Sequence, residues 1–192
     1  MNPDLVVAST REWLKSFIID YNICPFARRE YERNRIRYAV VEDLDWGDCL
    51  TRLVGECHIL DTDPDTETTL IIFPQTLHDF DAYLDFLGLA ERLLVDQGYE
   101  GVYQLASFHP HYRFADSDDK DPANYTNRSP YPMLHLIREA SIEQALRHYP
   151  HPENIPERNI RLTRQMGLDK LQRLLQQCRQ TAAKRDNSET QS

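Results

Sequence analysis

No stretch of this 192-residue chain approaches the roughly 18 consecutive apolar residues that a membrane-spanning helix needs. Asp4 also precedes any hydrophobic run, unlike the basic start of a secretory signal, so a cytoplasmic protein without membrane attachment is expected. Positive charge is short as well: 22 Lys and Arg stand against 31 Asp and Glu, a formal net charge of -9. Nonspecific affinity for nucleic acid comes from clustered cations that neutralise phosphates, so no nucleic-acid partner is expected. The cysteines at 24, 49, 57 and 178 form no CxxC pair and no zinc-ribbon spacing, and a chain of this size needs no disulfide framework; reduced thiols are expected. The run Asp116, Asp118, Asp119, Asp121 lacks the glycine and the closing glutamate of a calcium loop and reads as a solvated acidic loop. Internal repeats are absent.

What is present is enough apolar material for a core, with 41% hydrophobic and 10% aromatic residues. The length fits one α/β domain over residues 1–178, followed by a polar tail, 179–192, expected to be disordered. Asn2, Pro3 and Asp4 read as an N-cap, a first-turn proline and a dipole-compatible acid for a helix carrying Trp13, Leu14, Phe17, Ile18 and Tyr21. Pro25 can open a short second helix through 28–34, placing Cys24 near its N-terminus. Three short apolar runs follow, at Tyr38–Val41, Leu70–Phe73 and Val102–Phe108. Helical spacings separate them: Trp46, Leu50, Leu53, Val54 and Cys57, capped by Asp45, and then Phe80, Tyr83, Leu84 and Leu87. Strands joined by helical crossovers are normally parallel, so the expectation is a small, mainly parallel sheet of about three strands covered by helices. Ser129 reads as the cap of a further helix with Pro130 and Pro132 in its first turn and Leu134, Ile137, Ser141 and Ala145 as its buried stripe. Additional C-terminal helices interrupted near Gly167 complete the fold.

Ligands in such sheets sit beyond the carboxyl ends of the strands. The third run ends in His109-Pro110-His111 and enters about twenty residues without periodicity, long for a connector in a compact domain. This stretch concentrates groups able to do chemistry. Arg128, ahead of the expected helix, with Arg113 and Arg138, fits an anion site, unless Arg128 pairs with one of the neighbouring aspartates and holds the loop together. Cys24 at a helix N-terminus fits a low-pKa thiolate with His109 or His111 as its base, or else a small buried hydrophobe. His109, His111 and His135 are alternatively the ligands of a transition metal, or histidines that brace backbone groups. Tyr112, Tyr125 and Tyr131 fit either stacking on a planar ligand or packing, and Asn124 and Asn127 either polar contacts or turn caps. Cys49, Cys57 and Cys178 fall at apolar helical positions and read as packing.

Three blocks, Asn22-Ile-Cys-Pro-Phe-Ala27, Ala106-Ser-Phe-His-Pro-His-Tyr-Arg-Phe114 and Asn124-Tyr-Thr-Asn-Arg-Ser-Pro-Tyr-Pro-Met-Leu-His135, resemble a bacterial family of unknown function, number 1415. The resemblance covers nearly all of the chain from the first helix to about Cys178. It implies one domain and a bacterial cytoplasmic setting, and it brings no activity, substrate or cofactor with it.

Read together, the residues point to a small enzyme acting on a small anionic molecule. Cys24, His109 and His135 are its catalytic candidates, and His111, Tyr112, Asn124, Asn127, Arg128, Ser129 and Arg138 its substrate-binding ones. In this expectation Arg128 and the amides after Ser129 hold a carboxylate or phosphate. The alternatives are a noncatalytic protein holding a metal or ligand through His109, His111 and His135, and an interaction protein whose aromatic loop docks on a partner. These residues name neither a cofactor nor the reaction nor the oligomeric state.

Overall fold

The structure, a computed structural model, describes residues 1–189, with side chains to Gln180. In chain order the elements are α1 (Pro3–Trp13), α2 (Ala27–Glu32), β1 (Ile36–Val40), α3 (Trp46–Thr62), β2 (Thr68–Ile72), α4 (Phe80–Asp96), β3 (Tyr103–Phe108), β4 (Met133–Arg138), α5 (Glu139–Arg147), α6 (Ile155–Met166) and α7 (Leu168–Glu189). Two compact units divide the chain. The first comprises Met1–Arg28, His109–Pro130 and the segment from His151 on; the second comprises Arg29–Phe108 and Tyr131–Pro150.

The second unit contains one four-stranded sheet in the order β1-β2-β4-β3. β1 and β2 are parallel, and β4 lies antiparallel to both β2 and β3. The three expected strands therefore do run in one direction, but β4 is inserted between two of them. The helix expected from Ser129 onward is corrected accordingly: Met133–Arg138 is a strand, and the helix starts only at Glu139. The physical reason is the ladder. β2 and β3 each present a row of backbone donors and acceptors on their facing edges, and an extended segment between them satisfies both rows, which a helix cannot do. The sheet is consequently mixed, with four strands.

One face of this sheet is covered by α3 and α4. Cys49, Leu53, Cys57 and Leu60 of α3 and Tyr83, Phe86, Ala90 and Leu94 of α4 are buried against Ile71, Leu134, Leu136 and Tyr103. Asp45 caps α3 by accepting from the Gly47 and Asp48 amides, and Asp79 caps α4 by accepting from Ala82. Phe73 and Phe86 meet edge to face at 5.4 Å. The buried Tyr83 hydroxyl joins the ends of two strands, accepting from Phe108 N at 3.0 Å and donating to Met133 O at 2.9 Å.

In the first unit Asn2 caps α1 as expected, accepting from the Asp4 amide. The helix then widens into a π-helical turn over Leu14–Ile19 and ends at Asn22, whose φ of 54° is a left-handed value that asparagine tolerates. α1 packs along α7, and a 3-10 turn, Pro122–Thr126, packs on α6 and α7. Val6, Trp13, Phe17, Ile18, Leu171 and Cys178 are among its buried apolar side chains. α7 runs to Glu189, into the segment expected to be a tail; residues 190–192 of that tail lie outside the described residues. Among the described residues no helix is long and apolar enough to cross a membrane.

Candidate functional site

The loop leaving β3 folds through its own polar groups. His109 is fully buried; its backbone amide donates to Asn127 O at 3.1 Å, and its carbonyl accepts from Tyr112 N at 3.1 Å. Its ring Nδ1 accepts from the His111 amide at 3.0 Å. An Nδ1 that accepts carries no proton, so the imidazole is in the neutral tautomer with its proton on Nε2. The His109 and His111 rings lie 5.8 Å apart.

Asn124 is fully buried and engaged at both ends of its amide. Oδ1 accepts from Phe114 N and Ser117 Oγ, and Nδ2 donates to Asp118 O. Its role is to fasten the loop, the turn-bracing alternative of the sequence. Asn127 Oδ1 accepts from Thr126 Oγ1 at 3.0 Å. Ser129 is fully buried, and with no helix starting there the expected anion cradle of amides after Ser129 does not form.

Arg128 is placed differently from the pairing with aspartate that its surroundings suggested. Nε donates to Tyr112 O at 3.1 Å and Nη2 to Asp119 O at 2.9 Å, both backbone carbonyls. The guanidinium lies 4.8 Å over the centre of the Tyr125 ring. Among the described residues no carboxylate pairs with it, and Nη1 has no partner; the Asp119 carboxylate is instead 3.6 Å from Arg113. Two hydrogen bonds, His109 N to Asn127 O and Arg128 Nε to Tyr112 O, tie the two ends of the loop together. His109, His111, Tyr112, Asn127 and Arg128 are thereby gathered at one place within the first unit.

His135 and Arg138 belong to the second unit. The Thr68 hydroxyl donates its single proton to Leu136 O at 2.6 Å, so the His135 Nε2 that meets the same oxygen at 2.7 Å must be the donor. Burial lowers the pKa of His135 to about 4, which keeps it neutral at physiological pH. Arg138 donates to the Leu60 and Thr66 carbonyls and to the Tyr103 hydroxyl, closing the C-terminal end of α3. Both have structural work inside their own unit.

Cys24 is partly buried, and its pKa moves opposite to the thiolate expectation. Burial raises it, outweighing the Phe26 and Ala27 amides and the Arg158 charge, which favour the anion. The stabilising amides foreseen for a helix start are present, and desolvation overrides them. All four cysteines are free, and Cys49, Cys57 and Cys178 are buried. Among the described residues no group of three or more His, Cys, Asp or Glu side chains is arranged to hold a metal ion.

One shallow cleft opens in the first unit. Its lining includes Trp13, Phe17, Tyr125, Arg128, Leu174 and Cys178. The Trp13 indole donates to Arg128 O at 3.0 Å across 115 positions of sequence. Nothing local in the sequence signals that contact, so Trp13 was not foreseen at the site. Arg179 was missed for the same reason: Nε and Nη2 both donate to Pro130 O, at 3.1 and 2.8 Å.

With this geometry in view, residues 5–173 match the family described as Protein of unknown function (DUF1415). The chain belongs to that family. The match spans both units, from α1 into α7. No curated protein and no solved structure matches the chain.

Proposed function

We propose that the protein binds a small anion through Arg128 and acts on it as a small enzyme, with His109 as the group that transfers a proton. The observation that carries this reading is the state of Arg128. Its guanidinium is oriented by two neutral carbonyls and a tyrosine ring, no carboxylate among the described residues neutralises it, and Nη1 is left over. A guanidinium oriented by carbonyls, with no ion pair to break and Nη1 unspent, can take a ligand oxyanion without giving up an existing charge partner. Charge distribution supports the same place. By sequence the second unit holds 19 acidic and 8 basic residues, whereas the first holds 12 and 14. His109 rests as the neutral Nε2–H tautomer, set by the His111 amide; its part in proton transfer is that of a base, taking a proton on Nδ1 once that amide yields it. Cys24 is given no nucleophilic role, since burial keeps it a thiol.

The test is thermal unfolding with inorganic phosphate against sodium chloride of equal ionic strength. Phosphate raises the Tm of the wild type, and the rise disappears in Arg128→Gln while persisting in part in Arg128→Lys. An identical Tm in both salts overturns the reading, as does an undiminished rise in Arg128→Gln.

A further inference from the structure

We propose that two copies of the chain associate through the outward face of α4, the two helices running antiparallel about a two-fold axis at Gly88. This surface belongs to the second unit and uses none of the anion-site residues. α4 buries Tyr83, Phe86, Ala90 and Leu94 on its inner side. Its outer side is not polar throughout. Leu84, Leu89 and Val95 are 41, 36 and 52% exposed, three of the eight exposed large hydrophobic residues among the described ones, a concentration on one helix rather than a scatter of single exposures. Leu84, Gly88, Glu91 and Val95, at spacings of four, three and four, share one stripe.

Gly88 is the central residue of α4, with eight residues on either side. Glycine is a poor helix former, and the usual reasons for keeping one inside a helix are absent here. Its φ is not left-handed, and a methyl group there would meet, beyond the helix backbone, only Arg92 Nη1 at 3.9 Å. Nothing within the chain requires the space. It suits a second helix approaching closely from outside.

Charge selects the partner. A chain of net charge -9 repels its own copy unless cations stand opposite acids. Asp85 and Arg92 are both exposed, and neither has an ion-pair or hydrogen-bond partner among the described residues. At about 100° per residue they lie on one side of Gly88, with Leu84, Glu91 and Val95 on the other. A two-fold axis at Gly88 lays each side of one α4 on the same side of the other, reversed in direction. Asp85, three residues before the axis, then comes opposite Arg92 of the second copy, four residues after it, and the pair is made twice. On the other side Leu84 packs between Val95 and the Glu91 stem of the second copy. α4 has 17 residues and is about 26 Å long, so one helix pair is smaller than a standard interface and the expected dimer is weak, with a Kd of roughly 10–100 μM.

The experiment is sedimentation velocity of the full chain from about 1 to about 500 μM. The wild type passes from monomer to dimer as concentration rises. Arg92→Asp and Asp85→Arg each weaken dimerisation at least tenfold by setting like charges opposite each other, and the double variant carrying both regains it. Gly88→Leu fills the gap and also weakens it at least tenfold. With no internal neighbour to displace and a better helix former in place, that variant keeps or raises the Tm, so its loss of dimer is not a loss of fold. A monomer at every concentration overturns the proposal and leaves the α4 face to a different partner. Dimerisation that survives Gly88→Leu and Arg92→Asp places the contact elsewhere and overturns it too, as does a double variant no better than the single ones.

Discussion

Acidification offers a quantitative handle on the second unit through His135. Partly buried in the sheet, with its Nε2 donating to Thr68, this ring has its pKa lowered by desolvation to about 4, against about 6.5 in an unfolded chain. Below the unfolded value the denatured chain takes up a proton that the native ring refuses until about pH 4. Stability contributed by the neutral ring is therefore complete above pH 6.5 and is lost as the pH falls from 6.5 toward 4. At about 1.36 kcal/mol per pKa unit, the two titration curves diverge by about 2 kcal/mol between pH 7.5 and pH 5. Urea unfolding at pH 7.5, 6.5, 5.5 and 5.0 measures this. The comparison is His135→Gln, whose amide can still donate to Thr68 and does not titrate. The wild type should lose about 2 kcal/mol more than the variant over that range. Parallel pH dependences of the two proteins would refute the assignment of a buried neutral histidine.

Other residues give further checks. Tyr83→Phe removes the hydroxyl that satisfies both Phe108 N and Met133 O; in urea unfolding it should cost about 1–3 kcal/mol, and a neutral result would mean that these backbone groups find other partners. Thr69→Val should be neutral or stabilising by up to about 1 kcal/mol, because the Thr69 hydroxyl is buried without a hydrogen-bond partner; a clear loss would show that the hydroxyl is satisfied after all. Alkylation of Cys24 by iodoacetamide, followed by peptide mass spectrometry, should be slow at neutral pH and should accelerate only above pH 9, given a thiol raised from its ordinary 9.0; an inflection below pH 8 would restore the thiolate reading.

Much of the second unit could be read from patterns of period two and 3.6. β1, β2 and β3 fall within two residues of the expected runs, and α3 and α4 start at the expected Trp46 and Phe80 and run on past Cys57 and Leu87 to Thr62 and Asp96, since each buries one stripe or run on a common core. β4 was misread because its residues fit both periods. Leu134 and Ile137 have helical spacing, while Leu134 and Leu136 have strand spacing, and Pro130 and Pro132 suit a first helical turn or an extended lead-in alike. The deciding force is nonlocal, the pairing demand of β2 and β3, and no window of sequence contains it. The loop from His109 to Ser129 was legible as unusual, through its density of polar and aromatic groups. The division of labour inside it was not: whether Arg128 meets an aspartate carboxylate or a backbone carbonyl depends on loop geometry, and both readings satisfy the same composition. Cys24 failed for a related reason. Local order shows the amides that stabilise an anion, whereas the burial that opposes them is contributed by the folded surroundings.

The anion site proposed at Arg128 can be tested directly. With arginine side chains labelled in ¹⁵N, and the Arg128 Nε–H signal identified by its loss in Arg128→Lys, inorganic phosphate is titrated at constant ionic strength and neutral pH. A saturable shift of that signal is expected, larger than that of Arg138, whose guanidinium is held by the Leu60 and Thr66 carbonyls and the Tyr103 hydroxyl. An Arg128 signal that stays still through the titration, or that moves no more than Arg138, would contradict it.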